Sequence, residues 1–501
     1  MLNVVIDRFR NAIEKRSVFT YAGSLNYWDM ATGGSEKGMS FRAKLQGMLT
    51  GYSYEMLVNE QMEADLKFLE GKVDELDEVT RRMLVKTRKS YDDYSKIPKE
   101  EVEAFSKLQL EAEQVWEKAK DKADFSMFAD YLKRLIEFQK KFVGYRGYEG
   151  HPYNTLLDDY EEGMTVDKLD EFFAELKTTI VPLVKAINES SVKVDDSFVR
   201  KSYSIEKQKE LAEDVLNVIG YDFNAGMLKE SVHPFSMGLN PNDVRITVNY
   251  HENEPLASFY AAAHEGGHGI YEQNVNTELM MTGLCEGASS GIHESQSRFY
   301  ENVLCRSEAF WEYYYQRVQN LFPEILKDVS SQEYYKACNK VAPSFIRIEA
   351  DELTYSLHIM IRYEIEKELF SGDIDVNELP ALWNKKVKEY LGLDVPSDDL
   401  GILQDVHWSN ALFGYFPTYA LGNAYASQIA ATINKEFSID EKLRKGQCME
   451  ITKWLNDKIH NMGSMKKPDE ILELVTGEGL NAKYYTDYLK EKFSSIYDLQ
   501  K

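Results

Sequence analysis

The stretch Ala261-Ala-Ala-His-Glu-Gly-Gly-His-Gly-Ile-Tyr271 contains the pattern H-E-x-x-H, from His264 to His268. On an α-helix, residues four positions apart lie on one face, so two imidazoles at this spacing can bind a single metal ion. Glu265 lies beside the first histidine, where it can take a proton from an attacking water without binding the metal. The pattern therefore predicts a helix that carries two metal ligands, His264 and His268, and a general base, Glu265.

Histidine is scarce in this chain, with 9 residues among 501. A chance match to the pattern therefore has odds of roughly one or two in a hundred. The alternative interpretation is a pair of surface histidines beside an exposed glutamate.

Three glycines, Gly266, Gly267 and Gly269, crowd the segment that must be helical for the motif to work. Each glycine costs about 1 kcal/mol relative to alanine in a helix interior. Such a concentration is expected where a substrate or a second helix approaches the backbone closely. The alternative is that the helix ends here and the glycines cap it. Residues 270–273 contain no stop signal, so we expect the helix to continue.

The composition is typical of a soluble globular protein, with 43% hydrophobic and 28% charged residues. The net charge of -24 argues against nucleic acids and anionic membranes as partners. We expect neither a signal peptide nor a membrane span, because no apolar run approaches the ~20 residues that a span needs. The four cysteines form no C-x-x-C pair, which predicts reduced thiols in a cytoplasmic protein.

Helical periodicity dominates the first half of the chain. Residues 1 to about 140 are predicted to be helical, with a break at 27–34 whose Trp28 lies either in the core or in a cleft wall. Pro98 suits the first turn of a helix. A loop is predicted at 145–153, and a helix follows from 166 to about 192.

One strand is predicted just before the metal-binding motif. Residues 223–242 have the composition of a loop, whereas 243–250 alternate apolar and polar side chains. Pro255 then opens the motif helix. A free edge of the strand at 243–250 can hydrogen-bond an extended peptide over the metal. The alternative is a small structural sheet that binds no ligand.

From Gln296 onward helical patterns return, with breaks near Pro323, Gly372, 396–401 and Gly463. We find no internal repeat, low-complexity tract or linker. The sequence therefore predicts one mainly α domain over 1–501, with a small β-sheet and a cleft. Within it we expect an N-terminal helical wall at about 1–150, a metal-site half at about 220–430 and C-terminal helices at about 431–501.

A catalytic zinc site needs a third protein ligand and one open position. In proteins with H-E-x-x-H this ligand is often a glutamate on the next helix, and Glu294 is the candidate. His293, and Glu286 in the intervening loop, are the alternatives. Glu294, Arg298 and Glu301 recur at helical spacing, which predicts that they share one face.

Six ordered motifs, counting the H-E-x-x-H pattern, carry a family resemblance. The other five are H-P-F at 233–235, D-x-R-x-T at 243–247, H-E-S-Q at 293–296, I-R-x-x-A-D at 346–351 and G-x-x-Q-D-x-H-W at 401–408. The region around Trp28 is also similar. On these motifs the chain resembles the M32 metallocarboxypeptidases, the thermostable carboxypeptidase Taq group.

The resemblance implies a large helical zinc-peptidase fold with a deep active-site cleft, like that of neurolysin. It also implies removal of single residues from peptide C-termini with broad specificity, one zinc or cobalt ion per chain, and a homodimer. By the motif match, His264, His268 and Glu294 are the expected ligands and Glu265 the base.

An exopeptidase must recognise a free carboxylate, for which arginine is the natural partner. Arg347 is the candidate because it falls on the I-R-x-x-A-D motif, and its alternative is an i,i+4 helix salt bridge with Asp351. Arg245 is the second choice and has an equally good structural explanation. His233 either lines the cleft or only orders its loop.

The oxyanion formed during hydrolysis needs a hydrogen-bond donor. His407 is one candidate, and a tyrosine within 413–422 is the other, with Tyr419 preferred to Tyr415 by analogy with related helical zinc peptidases. The alternative is that all three side chains belong to the core.

Two further functions remain open at this point. One is an endo-oligopeptidase with the same zinc site. The other is a non-catalytic peptide-binding scaffold with structural zinc, although such a site usually has four protein ligands and would leave Glu265 without a role.

Overall fold

Most of the chain forms helices, as its amphipathic periodicity predicts. The computed structural model describes residues 1–372 and 374–499. The N-terminal helices are α1 (Leu2–Thr32), α2 (Met39–Leu57), α3 (Glu60–Glu70), α4 (Glu78–Ser95), α5 (Lys99–Asp121), α6 (Ser126–Arg146) and α7 (Asn154–Leu157). Among the described residues, none of the helices combines the length and apolar character needed to cross a bilayer.

The remaining helices surround the motif segment and complete the C-terminal part. They are α8 (Val166–Glu189), α9 (Ile205–Ile219), α10 (Pro255–Gln273), α11 (Ser290–Arg298), α12 (Glu308–Leu321), α13 (Pro323–Leu326), α14 (Ser331–Cys338), α15 (Glu352–Ser371), α16 (Leu379–Leu391), α17 (Pro417–Glu436), α18 (Ile439–Arg444), α19 (Cys448–Lys458), α20 (Pro468–Thr476) and α21 (Lys483–Tyr497). Short 3-10 turns lie at Glu36–Gly38, Val73–Glu75, Ser197–Arg200, Phe223–Ala225, Thr277–Leu279, Arg347–Glu349, Val376–Glu378 and His460–Met462. A π-helical segment, Phe299–Cys305, follows α11 directly.

The first helix extends further than its composition predicts. The predicted break at 27–34 is wrong up to Thr32, because α1 ends only there. Trp28 is 5% exposed, and its ring packs edge-on against Phe235, with 5.6 Å between the centroids. This packing keeps the end of α1 helical and joins it to the loop before β2, defined below.

The sheet contains β1 (Gly226–Glu230), β2 (Ser236–Asn240) and β3 (Asp243–Val248), in the order β1-β3-β2. β3 confirms the predicted strand, whereas the loop predicted at 223–242 is wrong because it contains both other strands. β1 runs parallel to β3, and β2 runs antiparallel to it. The expected free edge of β3 is therefore wrong, because β3 is paired on both sides. Among the described strands, β2 and β1 are the edges.

Buried apolar side chains form two separate clusters. The smaller one contains side chains of α1, α3 and α4 together with Val275, Leu279 and Leu284, which follow α10. The larger one runs through α5 to α21 and includes the buried side of the sheet. The motif helix therefore belongs to the larger core, while the segment just after it packs into the smaller one.

A long irregular segment separates α16 from α17. The predicted break at 396–401 is too short, because residues 392–416 lack α-helix. This segment lacks the continuous backbone hydrogen bonding of an α-helix, and buried polar contacts stabilise it instead. Asp405 pairs with Arg347 and Arg362, and Glu366 accepts hydrogen bonds from the Trp408 indole and from the Gly414 backbone N–H.

Candidate active site

The glycines of α10 allow its neighbours to approach the backbone. A Cβ on Gly267 would lie 2.8 Å from the Gln296 carbonyl oxygen and 2.8 Å from Ser297 Cα, both backbone atoms of α11. A Cβ on Gly266 would lie 2.5 Å from the Leu216 side chain of α9, and one on Gly269 would lie 2.8 Å from the Tyr221 ring and 3.2 Å from Ile246 of β3. The predicted close approach of a second helix is confirmed, and the alternative in which the glycines cap the helix is wrong.

Helix α11 brings a carboxylate to the two histidines of α10. The Ser289 hydroxyl accepts a hydrogen bond from the Ile292 N–H and so caps the start of α11. Glu294 Oε2 then lies 3.6 Å from His264 Nε2 and 3.4 Å from His268 Nε2. One potential ligand atom from each of these three residues lies within 4.8 Å of the other two.

This His264–His268–Glu294 cluster fits a divalent metal. Two imidazole nitrogens and a carboxylate oxygen are the donor set of many catalytic zinc sites. The cluster also lines a cavity, so a metal held there would be accessible to water and substrate. His293 and Glu286, the alternative third ligands, lie outside the cluster formed by the described residues.

Charged neighbours hold two of these side chains. Glu301 Oε2 lies 2.9 Å from His264 Nδ1, which directs the other ring nitrogen toward the cluster. Arg298 Nε donates to Glu294 Oε1 at 2.6 Å, and its Nη1 donates to Glu301 Oε2 at 3.1 Å. The predicted common face of Glu294, Arg298 and Glu301 is therefore confirmed.

The second histidine of the motif is held differently. His293 Nδ1 lies 2.5 Å from His268 Nδ1, and His293 Nε2 lies 2.9 Å from Glu272 Oε1. Glu272 Oε1 also accepts a hydrogen bond from the Gly287 N–H at 3.0 Å. The sequence indicated His293 only as an alternative ligand, and no spacing rule identifies its contact with His268.

Glu265 combines burial with access to the cavity. It is 7% exposed and lines the same cavity as the cluster. Burial raises the pKa of Glu265 to about 7, against the opposing effect of His264. Burial also disfavours ionisation of Glu294, but Arg298 and His264 lower its pKa below the ordinary range. One carboxylate is thus kept ionised at the cluster while its neighbour is tuned to exchange a proton near neutral pH.

The cavity has a volume of about 750 Å³. Its walls come from α4, the turn at 158–162, β2, α10, α11 and the start of α17. Three basic side chains of α4, Arg82, Lys86 and Lys89, lie in the wall. Each pairs with an acidic residue: Arg82 with Glu162, Lys86 with Glu286 and Lys89 with Asp158. The sequence predicted only a helix here, because nothing local shows which surface α4 meets.

The predicted oxyanion donors lie together. Tyr415 and Tyr419 line the cavity, and their rings meet edge-on with centroids 5.2 Å apart. His407 Nε2 lies 3.2 Å from the Tyr419 hydroxyl. Burial lowers the pKa of His407 to about 4, despite the opposing effect of Asp405. His407 is therefore a neutral neighbour of Tyr419, and Tyr419 itself reaches the cavity.

Arg347 lies behind this tyrosine. It is 5% exposed; its Nε donates to Asp405 Oδ1 at 3.0 Å, and its Nη1 donates to the Tyr355 hydroxyl at 3.0 Å. Its guanidinium carbon stands 4.9 Å from the centroid of the Tyr419 ring. The alternative salt bridge with Asp351 is wrong, because Asp351 caps α15 by accepting from the N–H groups of the next helical residues.

The other two predicted substrate contacts lie at the edge of the site. Arg245 donates to both carboxylate oxygens of Asp243 at 2.8 Å and packs over Trp28. His233 is exposed on the loop between β1 and β2, while the following residues, Pro234 and Phe235, line the cavity. The H-P-F motif thus reaches the cavity through its last two members.

Comparison with known proteins gives a consistent result. The model of the carboxypeptidase Taq (M32) metallopeptidase family matches residues 8–493. Carboxypeptidase 1 of Bacillus subtilis (strain 168) is 45% identical over 490 residues, which cover 98% of each protein. Thermostable carboxypeptidase 1 of Thermus thermophilus is 35% identical over 506 residues, covering 98% of this chain and 99% of the relative. The crystal structure of an M32 carboxypeptidase from Deinococcus radiodurans R1 superposes with a TM-score of 0.94 at 31% identity, covering 99% of this chain and 100% of that one.

Proposed function

Because this chain belongs to the carboxypeptidase Taq (M32) metallopeptidase family, we propose that it removes single amino acids from peptide C-termini with Glu265 as general base. Metal-dependent carboxypeptidase activity follows from the family, and peptides are its substrates. The observation that carries the residue assignment is the His264–His268–Glu294 cluster, with Glu265 beside it in the same cavity.

The three cluster residues would hold the metal. A zinc ion held there would act as a Lewis acid toward the scissile carbonyl and would make the attacking water more acidic. Glu265 takes the proton of the attacking water and returns it to the nitrogen of the departing amino acid. Burial raises the pKa of Glu265, which helps this carboxylate to hold the proton between the two transfers.

Tyr419 is the proposed donor to the developing oxyanion. Burial raises the pKa of Tyr419 well above its ordinary value, so its hydroxyl keeps its proton. Neutral His407 can donate from Nε2 to the Tyr419 oxygen, which leaves the tyrosine hydrogen free for the substrate. In this arrangement His407 acts by positioning Tyr419.

The edge strand β2 is the proposed site for the peptide backbone. Ser236 and Gly238 of β2 line the cavity, and β2 is paired with β3 on its other side. An extended substrate can add to such an edge through backbone hydrogen bonds. The loop residues Pro234 and Phe235 would then flank the bound peptide.

Arg347 is the proposed anchor for the substrate carboxylate, and Lys86 is the competing candidate. Arg347 is supported by its motif and by its position directly behind Tyr419. Lys86 is supported by its position in the cavity wall and by its pairing with an exposed glutamate, Glu286. A substrate carboxylate can replace that partner without leaving a buried charge unpaired.

We also propose zinc as the native metal, with cobalt able to replace it, at one ion per chain. The donor set supports zinc. A homodimer and a cytoplasmic location complete the proposal, and the free state of all four cysteines is consistent with a reducing compartment. Metal content measured by mass spectrometry tests the identity and number of the metal ions. Molar mass measured by light scattering tests the homodimer.

A peptide digestion time course tests the reaction class. Free peptides should lose single residues successively from the C-terminus, and a chelator should stop the reaction. Peptides with an amidated C-terminus should resist. Internal cleavage of the amidated peptides would indicate an endo-oligopeptidase, and metal binding without hydrolysis would indicate a scaffold.

A further inference from the structure

The two imidazoles of the cluster are oriented by different groups. His264 Nδ1 meets a carboxylate directly, at Glu301, whereas His268 Nδ1 meets another imidazole, that of His293. We infer that Glu272 and His293 form a hydrogen-bond relay that fixes the tautomer of His268 and so presents its Nε2 lone pair to the metal. His293 and Glu272 are thus positioning residues, and this inference rests on the proposed metal site.

The direction that we infer for the relay follows from an ionised Glu272 at one end and a neutral His293 in the middle. Glu272 Oε1 can only accept when the carboxylate is ionised, so His293 Nε2 carries a hydrogen and donates to it. A neutral His293 then has an unprotonated Nδ1, which must accept. His268 Nδ1 therefore carries the hydrogen shared across the 2.5 Å contact, and His268 Nε2 is left with a free lone pair.

The opposite tautomer of His293 would prevent His268 from binding a metal. If His293 Nδ1 carried the hydrogen, His268 Nδ1 would have to accept it, and the His268 hydrogen would sit on Nε2, which faces Glu294. A protonated Nε2 cannot bind a metal. The relay therefore selects between a metal-competent and a metal-incompetent form of one ligand.

The surrounding backbone leaves the relay little freedom. A Cβ on Gly287 would lie 2.6 Å from His293 Cδ2, and a Cβ on Gly238 of β2 would lie 2.7 Å from Glu272 Oε2. The Tyr271 ring also packs against His293, with 5.2 Å between the centroids. Both relay side chains are thus enclosed where a glycine makes room for them, which keeps the imidazole from rotating away from His268.

Metal affinity measured on His293 variants tests the relay. H293F removes the acceptor and keeps a planar ring, whereas H293N places an amide oxygen where Nδ1 stood and keeps the acceptor. The dissociation constant for Zn²⁺ is measured by competition with a chromophoric chelator on the full chain. We expect H293F to raise Kd by about 10- to 100-fold, the usual effect of losing a partner of a metal-bound histidine, and H293N to restore most of the affinity.

His460 offers a matched control. It is buried, it packs against the same Tyr271 ring at 5.1 Å, and its Nε2 lies 2.8 Å from Gln296 Oε1, but it does not contact the cluster. H460F should lower thermal stability and leave the Kd for Zn²⁺ as in the wild type. A raised Kd in H460F equal to that of H293F would assign the effect to packing and overturn the relay.

Two further results would overturn it. A wild-type Kd in H293F excludes the relay, and so does an equal loss in H293F and H293N. If H293F does not fold, E272L replaces it, since leucine offers His293 Nε2 no acceptor and no longer enforces the tautomer; an unchanged Kd in E272L then excludes the relay. Failure of the wild type itself to bind Zn²⁺ would instead refute the proposed metal site.

Discussion

Substituting Gly267 by alanine should separate stability from activity. The new Cβ would lie 2.8 Å from backbone atoms of α11, and ordinary contact begins at 3.4 Å. Backbone atoms cannot rotate away, so α10 and α11 must move apart by about 0.6 Å, the difference between these two distances. This movement would carry Glu294 on α11 away from His264 and His268 on α10.

Two opposing contributions set the stability of G267A. Overpacking costs about 1–3 kcal/mol, while replacing a helical glycine by alanine gains about 1 kcal/mol. The net loss of stability in G267A should therefore be between about 0 and 2 kcal/mol. Activity responds more strongly, because a misplacement of the order of 1 Å in a catalytic site costs about 100-fold in rate. We expect kcat/KM to fall by about 10- to 100-fold.

Denaturant unfolding and initial rates on a peptide with a free C-terminus measure the two effects. Gly144 near the end of α6 is the control, because a Cβ there meets no atom within 4 Å. G144A should gain up to about 1 kcal/mol and keep full activity. If G267A behaves like G144A, then α10 and α11 are not in backbone contact, and the account of the cluster is wrong.

Three other perturbations have defined outcomes. E265Q should retain one bound metal and lose about 100- to 10,000-fold in kcat, as for a general base, and undiminished hydrolysis would remove Glu265 from that role. R347A should lower the activity on free peptides toward the low level expected on amidated ones, whereas K86A should show this loss instead if Lys86 is the anchor. Burial raises the pKa of Glu366 to about 7, so the folded state binds this proton more tightly than the unfolded state. Stability should therefore fall as the pH rises from about 4.5 to about 7, by up to about 3 kcal/mol from this group, and the same slope in E366Q would contradict the assignment.

The local parts of the site were predictable from sequence. The H-E-x-x-H spacing predicted the helix α10 and placed His264 and His268, the proposed ligands, on one face of it. The helical spacing of Glu294, Arg298 and Glu301 predicted their shared face. The close approach of α11 was predicted from the glycines, because a helix keeps such residues only where something needs the space.

The parts that depend on distant contacts were not predictable. β1 and β2 are short, and neither shows clean alternation, so their segment resembled a loop. Arg347 pairs with Asp405, which lies 58 positions away, and no local pattern indicates that partner. Lys86 is 200 positions from Glu286, so no local pattern could predict that α4 forms a wall of the cavity.

The π-helical segment Phe299–Cys305 carries a consequence for engineering. A π turn holds an extra residue relative to an α turn, and this segment places Glu301 against His264 and Arg306. Deleting one residue there would restore regular winding but would turn the following side chains by about 100° around the axis. A redesign of this segment therefore has to keep the extra residue if the contact between Glu301 and His264 is to be preserved.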